Sequence, residues 1–295
     1  MNPGNWPTGY TKFACLVGDP AAHSLSPTLF NSGFSFLGLD WAYLAMSVSP
    51  DRLAAAIGGL KALGVGGISV TMPHKKEIIG LLDGLTPSAA MLSSVNVVYV
   101  EAGELIGDST DGRALVDNLS FDHGIDLRGK RVALVGTGAV ARSISVSLVQ
   151  ADVEKLSIHG RNRAAAREIH LLASLGGSST QVVLGEATDI ETAEIVINGT
   201  SLGMSGRGHE GYSPVDKGLL HGGQFLCDVV YHPLETRFLQ YAREIGAPHT
   251  NGVGMLTRIA VLAFERWTGE KAPVQEMRSA VTAEVKKRVS ASAGR

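Results

Sequence analysis

Apolar and polar positions alternate along the first hundred residues in a repeating strand and helix rhythm. Residues 13–18, "FACLVG", form an unbroken apolar run of the buried-strand type. Residues 26–38, "SPTLFNSGFSFLG", place apolar side chains at helical spacing and stop at a glycine. Residues 41–48, "WAYLAMSV", are rich in strand formers. Residues 49–64 predict a helix with Ser49 as N-cap and Pro50 at its first position. Its apolar face is Leu53, Ala56, Ile57, Leu60 and Leu63. A third strand is predicted at 67–71, and a hairpin at 96–108 with its turn near Gly103. Strands separated by helices predict a mostly parallel sheet covered on both faces.

The rhythm restarts near Asp111. Residues 130–150, "KRVALVGTGAVARSISVSLVQ", read as a buried strand, a glycine turn and a helix. Residues 155–169 repeat the strand and helix, and "QVVLG", "AEIVINGTS" and "QFLCDVVY" supply further strands. An amphipathic helix is predicted at 235–246. Residues 251–269 are apolar on more than one face and predict a buried helix. The last stretch predicts an amphipathic helix with a frayed basic end. The expected fold is α/β in two domains. Residues 1–110 with 252–295 form a substrate-binding domain, and 111–251 a Rossmann-type dinucleotide-binding domain.

Composition narrows the function classes. The chain has 295 residues, 44% of them hydrophobic and 18% charged, with a net charge of −2. That supports a sizeable core and argues against nucleic acid or an anionic membrane as partner. The N-terminal "MNPGNWPTGYTKF" has no apolar signal core, and no apolar run is long enough to span a bilayer. Cys15 and Cys227 stand alone in apolar runs, which predicts buried reduced thiols in a cytoplasmic protein. His23 and His74 flank candidate site residues but have no ligand spacing, so no metal is expected.

Two segments carry candidate chemistry. In "VALVGTGAVAR", Gly136 allows the tight turn and Gly138 lets the backbone approach a pyrophosphate, while Ala141 packs the helix on the strand. With Ala139, the two glycines make the expected pyrophosphate set. The next strand ends in "SIHGRNR", without the acidic residue that reads a free ribose 2′-hydroxyl. Arg161 and Arg163 suit a 2′-phosphate instead, or are solvated at a helix start, so NADP is favoured over NAD. In "SVTMPHKKEI", Lys75 and Lys76 fall where a helix start is predicted. The dipole there opposes a cation, which suggests placement for proton transfer. Neighbouring helical residues point about 100° apart, so only one lysine faces a given site. Asp111 in "GDSTDGRA" reads equally as a helix N-cap and as the carboxylate partner of that lysine.

These motifs together resemble the shikimate/quinate dehydrogenase family, from about Cys15 to Trp267. The resemblance implies that Ser24 and Ser26 in "GDPAAHSLSP" bind a substrate carboxylate. It implies Thr71 and the catalytic Lys75 in "SVTMPHK", Asn96 in "SVNVV", and Asp111 in "DSTDG" as the lysine's partner. Tyr231 in "DVVYHPLET" takes a substrate-site position, and Gly252 and Met255 in "NGVGML" line the nicotinamide pocket. The implied substrate is a small ring polyol carboxylate and the implied protein a monomer or homodimer. The implied reaction interconverts shikimate and 3-dehydroshikimate.

The chain departs from the family pattern at two places. Ile259 stands where the family has a glutamine that bonds a ring hydroxyl, and Ser109 stands where it has an asparagine. Ile259 motivates an alternative, a paralogue acting on quinate or an amino-substituted analogue. A folate-type dehydrogenase also pairs a lysine with a Rossmann domain, but Ser24, Ser26 and Asp111 argue against it. A non-catalytic NADP-binding sensor would have no need of both Lys75 and Asp111.

Overall fold

The computed structural model describes residues 7–293. The chain divides into two compact units, Met1–Thr110 with Ile259–Glu284, and Asp111–Arg258 with Val285–Arg295.

The first unit contains β1 (Lys12–Gly18), α1 (Ser26–Leu37), β2 (Trp41–Ser47), α2 (Leu53–Ala62), β3 (Gly67–Val70), β4 (Gly84–Leu85), α3 (Pro87–Leu92), β5 (Val97–Glu101) and β6 (Glu104–Asp108). The strands lie in the order β2-β1-β3-β5-β6-β4. Crossovers through α1 and α2 make β1 parallel to both β2 and β3, and β4 is parallel to β6. Only β5 breaks the pattern, running antiparallel to β3 and β6. Its hairpin turns on Ala102 and Gly103, with φ of 51° and 85°. Two successive left-handed residues match the twist of paired strands.

Alternation along β3 splits its side chains between two cores. Ile68 and Val70 pack with Ile57 and Leu60 of α2. On the other face, Gly67 leaves room for the Trp267 ring, since a Cβ there would fall 2.2 Å from it. Trp267 stacks on Phe30 at 5.0 Å, and Phe30 on Tyr43 at 4.3 Å. The Trp267 indole N–H donates to Val98 O at 3.1 Å, so this large side chain is buried without an orphaned donor.

Two expected details differ. Pro50–Arg52 is a turn of 3-10 helix ahead of α2, and the extended Ser49 caps it with no side-chain bond. Lys75 and Lys76 lie in an irregular turn, and only a five-residue 3-10 segment, Glu77–Leu81, follows. Tertiary bonds shape the turn instead, from His74 Nε2 to Val48 O at 2.6 Å and from Val95 N–H to Lys75 O at 2.8 Å. The helix-dipole argument for the lysines therefore falls away.

The second unit contains α4 (Asp111–Asp117), β7 (Arg131–Val135), α5 (Ala139–Gln150), β8 (Lys155–His159), α6 (Arg163–Ser174), β9 (Gln181–Leu184), α7 (Ala187–Thr192), β10 (Ile195–Asn198), β11 (Phe225–Asp228), α8 (Arg237–Glu244) and β12 (His249–Thr250). The strand order is β12-β11-β10-β7-β8-β9, with every pairing parallel. In chain order this is the doubly wound 6-5-4-1-2-3, whose switch point lies between β7 and β10. The fold is thus α/β with two parallel-rich sheets, the second of Rossmann type. Helices α9 (Gly252–Thr268) and α10 (Val274–Ala293) begin in one unit and end in the other. α10 stays helical through Lys286, Lys287 and Arg288, where fraying was expected.

Candidate active site

In the first unit, the carboxyl ends of β1, β2 and β3 gather Ser24, Ser26, Thr71, Lys75 and Asn96. Val17 pairs with Val70, and Gly18 with Ser47. A Cβ at Gly18 would lie 2.3 Å from Thr71 Cγ2, so glycine lets the Thr71 side chain fold over β1. Two backbone bonds join the loops leaving these strands: Thr71 N–H to Val17 O, and Asp19 N–H to Met72 O, both 3.0 Å. The loop holding the serines is tied to β2 by Ala21 N–H to Ser47 Oγ, 3.0 Å. Within it, Ser26 N–H donates to Ser24 Oγ at 3.1 Å.

The Lys75 turn is fixed from two sides. Fully buried His74 places Nε2 2.6 Å from Val48 O, which makes it a structural anchor to the end of β2. Val95 N–H donates to Lys75 O at 2.8 Å, which sets Lys75 next to the segment carrying Asn96. Lys75 is half-buried and Lys76 exposed, so one lysine turns inward and its neighbour outward. Buried Asn96 accepts from Thr110 N–H at 2.8 Å and donates to Thr110 Oγ1 at 3.1 Å. That pair fixes the chain one residue before Asp111.

Asp111 is buried and is the first residue of α4. The next residue explains the close packing of that helix. Gly112 N–H donates to Ser143 Oγ at 2.9 Å, and a Cβ there would fall 2.1 Å from Ser143 O.

The glycine turn lies at the switch point. Gly136 has φ of 133°, and a Cβ there would fall 2.8 Å from the Gly199 backbone. Gly138 precedes α5, whose first residue is Ala139, and a Cβ on Gly138 would meet nothing within 4 Å. The backbone is open there, as approach of a pyrophosphate requires. Ala141 is fully buried, and a Cβ on Gly199 would come within 3.2 Å of its methyl. Thr137 lies over Gly160, just past β8.

At the end of β8 stand His159, Gly160 and Arg161, with no carboxylate. Burial holds His159 below the ordinary histidine range and so favours its neutral form. Arg161 is exposed and has no ion pair among the described residues. Asn162 Oδ1 caps α6 by accepting from Ala164 and Ala165 N–H, both 3.1 Å. Arg163 pairs with Glu186 at 3.2 Å on the surface.

Tyr231 is half-buried after β11, and burial pushes its phenol up against the opposing pull of Arg288 and Arg207. Gly252 N–H donates to Val230 O at 2.9 Å, and a Cβ on Gly252 would fall 2.1 Å from Val229 O. One turn on, Met255 is buried. Arg258 forks onto Asp122 and covers the Phe121 ring at 5.3 Å. Half-buried Ile259 follows on α9.

Three further residues, absent from the sequence reading, organise these loops: Asn198, Asp228 and Thr236 are all buried, and the first and last each donate to the Asp228 carboxylate. A polar residue ending an otherwise apolar strand was the available signal. Among the described residues, no group of three or more His, Cys, Asp or Glu could hold a metal. No helix among them is long and apolar enough to cross a membrane.

Comparison with known proteins matches residues 16–98 to a family described as the shikimate dehydrogenase substrate binding domain. Residues 252–282 match the shikimate 5'-dehydrogenase C-terminal domain. A shikimate dehydrogenase (NADP(+)) of Geobacter sp. (strain M21) is 39% identical over 284 residues, covering 94% of this chain and 96% of that protein. A crystal structure of a shikimate dehydrogenase in complex with NADP+ superposes with a TM-score of 0.89 at 31% identity, covering 97% of this chain and 99% of the other. Shikimate 5-dehydrogenase of Listeria monocytogenes, in complex with shikimate and NAD, gives 0.86 at 32% identity, covering 92% and 96%.

Proposed function

The chain belongs to the shikimate dehydrogenase family, and from that premise we propose that it interconverts shikimate and 3-dehydroshikimate with NADP. The observation that carries the reading is the Lys75–Val95 backbone bond of 2.8 Å, which sets Lys75 beside the segment carrying Asn96, past the carboxyl end of β3 where Thr71 lies. Ligands of such sheets bind at the carboxyl ends of the strands.

We assign substrate binding to residues 1–110 with 252–295 and cofactor binding to 111–251. The cofactor turn suits a dinucleotide, because Gly138 leaves the backbone open and Arg161 offers an exposed guanidinium where NAD sites carry an acid. NADP would supply the hydride acceptor for oxidation of the ring carbinol. Gly136, Gly138 and Ala139 would hold its pyrophosphate, Arg161 and Arg163 its 2′-phosphate, and Gly252 and Met255 its nicotinamide ring.

Lys75 takes the carbinol proton as the hydroxyl becomes a ketone, and returns it in the reverse direction. Asp111 is the carboxylate partner of that lysine. Ser24, Ser26 and Tyr231 hold the substrate carboxylate, while Thr71 and Asn96 read ring hydroxyls. Such polar matching discriminates strongly, because an analogue leaves buried groups unpaired. A cytoplasmic setting fits, since Cys15 and Cys227 are both free and buried.

Ile259 favours a second reading, a paralogue for quinate or an amino-substituted analogue, because Ile has no group for a ring hydroxyl. Initial rates with shikimate and quinate, each with NADP and NAD, test both readings. Shikimate with NADP as the fastest pair supports the first. Turnover confined to quinate supports the second, and no turnover by a folded, NADP-binding protein overturns both.

A further inference from the structure

Asn198 and Asp228 are register partners that end β10 and β11. Asn198 Nδ2 donates to Asp228 Oδ1 at 2.9 Å, and Val230 N–H donates to the same oxygen at 2.9 Å. Thr236 Oγ1 donates to Asp228 Oδ2 at 2.6 Å. Both side chains reach onward into a loop. Asn198 Oδ1 accepts from Thr200 N–H at 2.9 Å and Thr200 Oγ1 at 2.7 Å, and Thr200 Oγ1 accepts from Leu202 N–H at 3.0 Å. Thr236 caps α8 by accepting from Leu239 N–H at 3.3 Å. Val230 O in turn receives the N–H of Gly252, the first residue of α9.

We propose that Asp228 is a positioning residue: one buried carboxylate that locks residues 199–204, residues 229–236 and the start of α9 into a single arrangement. Three donors converge on its two oxygens, which suits the ionised carboxylate, a group that only accepts. An amide there would turn its own donors toward at least one of them. A strand end needs no buried carboxylate for pairing, and burial of this one pushes it up to about 7, so its placement is costly. Tyr231 lies between two of its attachment points, Val230 and Thr236, and Gly252, with Met255 one turn on, is tied to the same segment through Val230 O. Loosening Asp228 therefore displaces all three without touching any ligand. The mechanical part of this inference is independent of the proposed reaction; its effect on turnover rests on that reading.

The test uses the full chain with Thr236→Val, Thr236→Ser and Asp228→Asn. Hydrogen exchange of the ligand-free protein and steady-state kinetics are measured on each. Thr236→Val is expected to speed exchange in both 229–236 and the separate segment 199–204. It should lower kcat ~10- to 100-fold, since small misplacements cost that much. KM should move less, and Thr236→Ser, which keeps the hydroxyl, should restore both readouts. Asp228→Asn should act like Thr236→Val; should it fail to fold, the Thr236 pair carries the test alone. Faster exchange confined to 229–240, with 199–204 and kcat unchanged, would show that Asp228 merely supports the α8 cap and would overturn the inference. Coupled exchange in a protein that does not turn over shikimate would uphold the inference and count against the proposed reaction.

Discussion

Gly112 lies directly against Ser143: its N–H donates to the Ser143 hydroxyl at 2.9 Å, and a Cβ would fall 2.1 Å from the Ser143 carbonyl oxygen. The obstacle is backbone, which cannot rotate away. Gly112→Ala should therefore push α4 off α5 at a cost of about 1–3 kcal/mol. Gly138→Ala should behave oppositely. Its Cβ would meet nothing, so stability of the ligand-free protein should change by less than about 1 kcal/mol. NADP affinity should nonetheless fall. Urea unfolding and NADP titration of the two variants separate a glycine kept for packing from one kept for a ligand.

Arg161 and Arg163 make a second pair with different predicted effects. Arg163 already pairs with Glu186 at 3.2 Å, whereas Arg161 has no ion pair among the described residues. Arg161→Ala should raise KM for NADP ~10- to 100-fold, as expected for loss of a charge-assisted bond. KM for NAD should stay nearly constant. Equal effects on both nucleotides would remove Arg161 from the 2′-phosphate site.

The Asp228 carboxyl gives a pH prediction with a definite sign. Burial raises it to about 7 in the folded protein, well above its value in an unfolded chain. The folded state therefore holds its proton more tightly, and the associated stability is fully present below about pH 4. It is lost as pH rises through about 7, by a few kcal/mol at most. The unfolding free energy of the wild type should fall relative to that of Asp228→Asn across this window. Parallel pH profiles would contradict the shift.

Much of this fold was legible in the sequence, because hydrophobic period and turn chemistry act locally. The switch from continuous apolar runs to helical spacing marked β7, α5, β8 and α6, and the glycine pattern marked the cofactor turn. What local pattern could not supply was the path of the Lys75 turn. Its conformation depends on His74 reaching Val48 and on Val95 reaching the Lys75 carbonyl, contacts from distant parts of the chain. The sequence suggested a helix there because residues after Pro73 suit one; tertiary bonds override that preference. Asp228 and Asn198 escaped notice for the same reason. Their meaning arises only when β10 and β11 become neighbours. Ser49 does stand at the N-cap, but of a 3-10 turn, and it caps through its carbonyl, which accepts from Arg52 N–H at 3.0 Å, with no side-chain bond.

Ile259 offers a gain-of-function prediction. If shikimate is the substrate, Ile259→Gln supplies a partner for a ring hydroxyl that the wild type leaves unpaired. That bond is worth about 1–3 kcal/mol, so kcat/KM for shikimate should rise roughly 10-fold or more. A fall for shikimate with a rise for quinate would reassign the wild-type preference.

The most direct measurement of the central claim is turnover of shikimate with NADP by the wild type and by Lys75→Ala, alongside NADP binding to each. The Lys75 carbonyl that receives Val95 N–H is kept in the variant, which should fold and bind NADP normally. Loss of a proton-transfer group should lower kcat by ~100- to 10,000-fold. Near wild-type turnover in a folded, NADP-binding Lys75→Ala protein would contradict the assignment of Lys75 as the acid and base of this reaction.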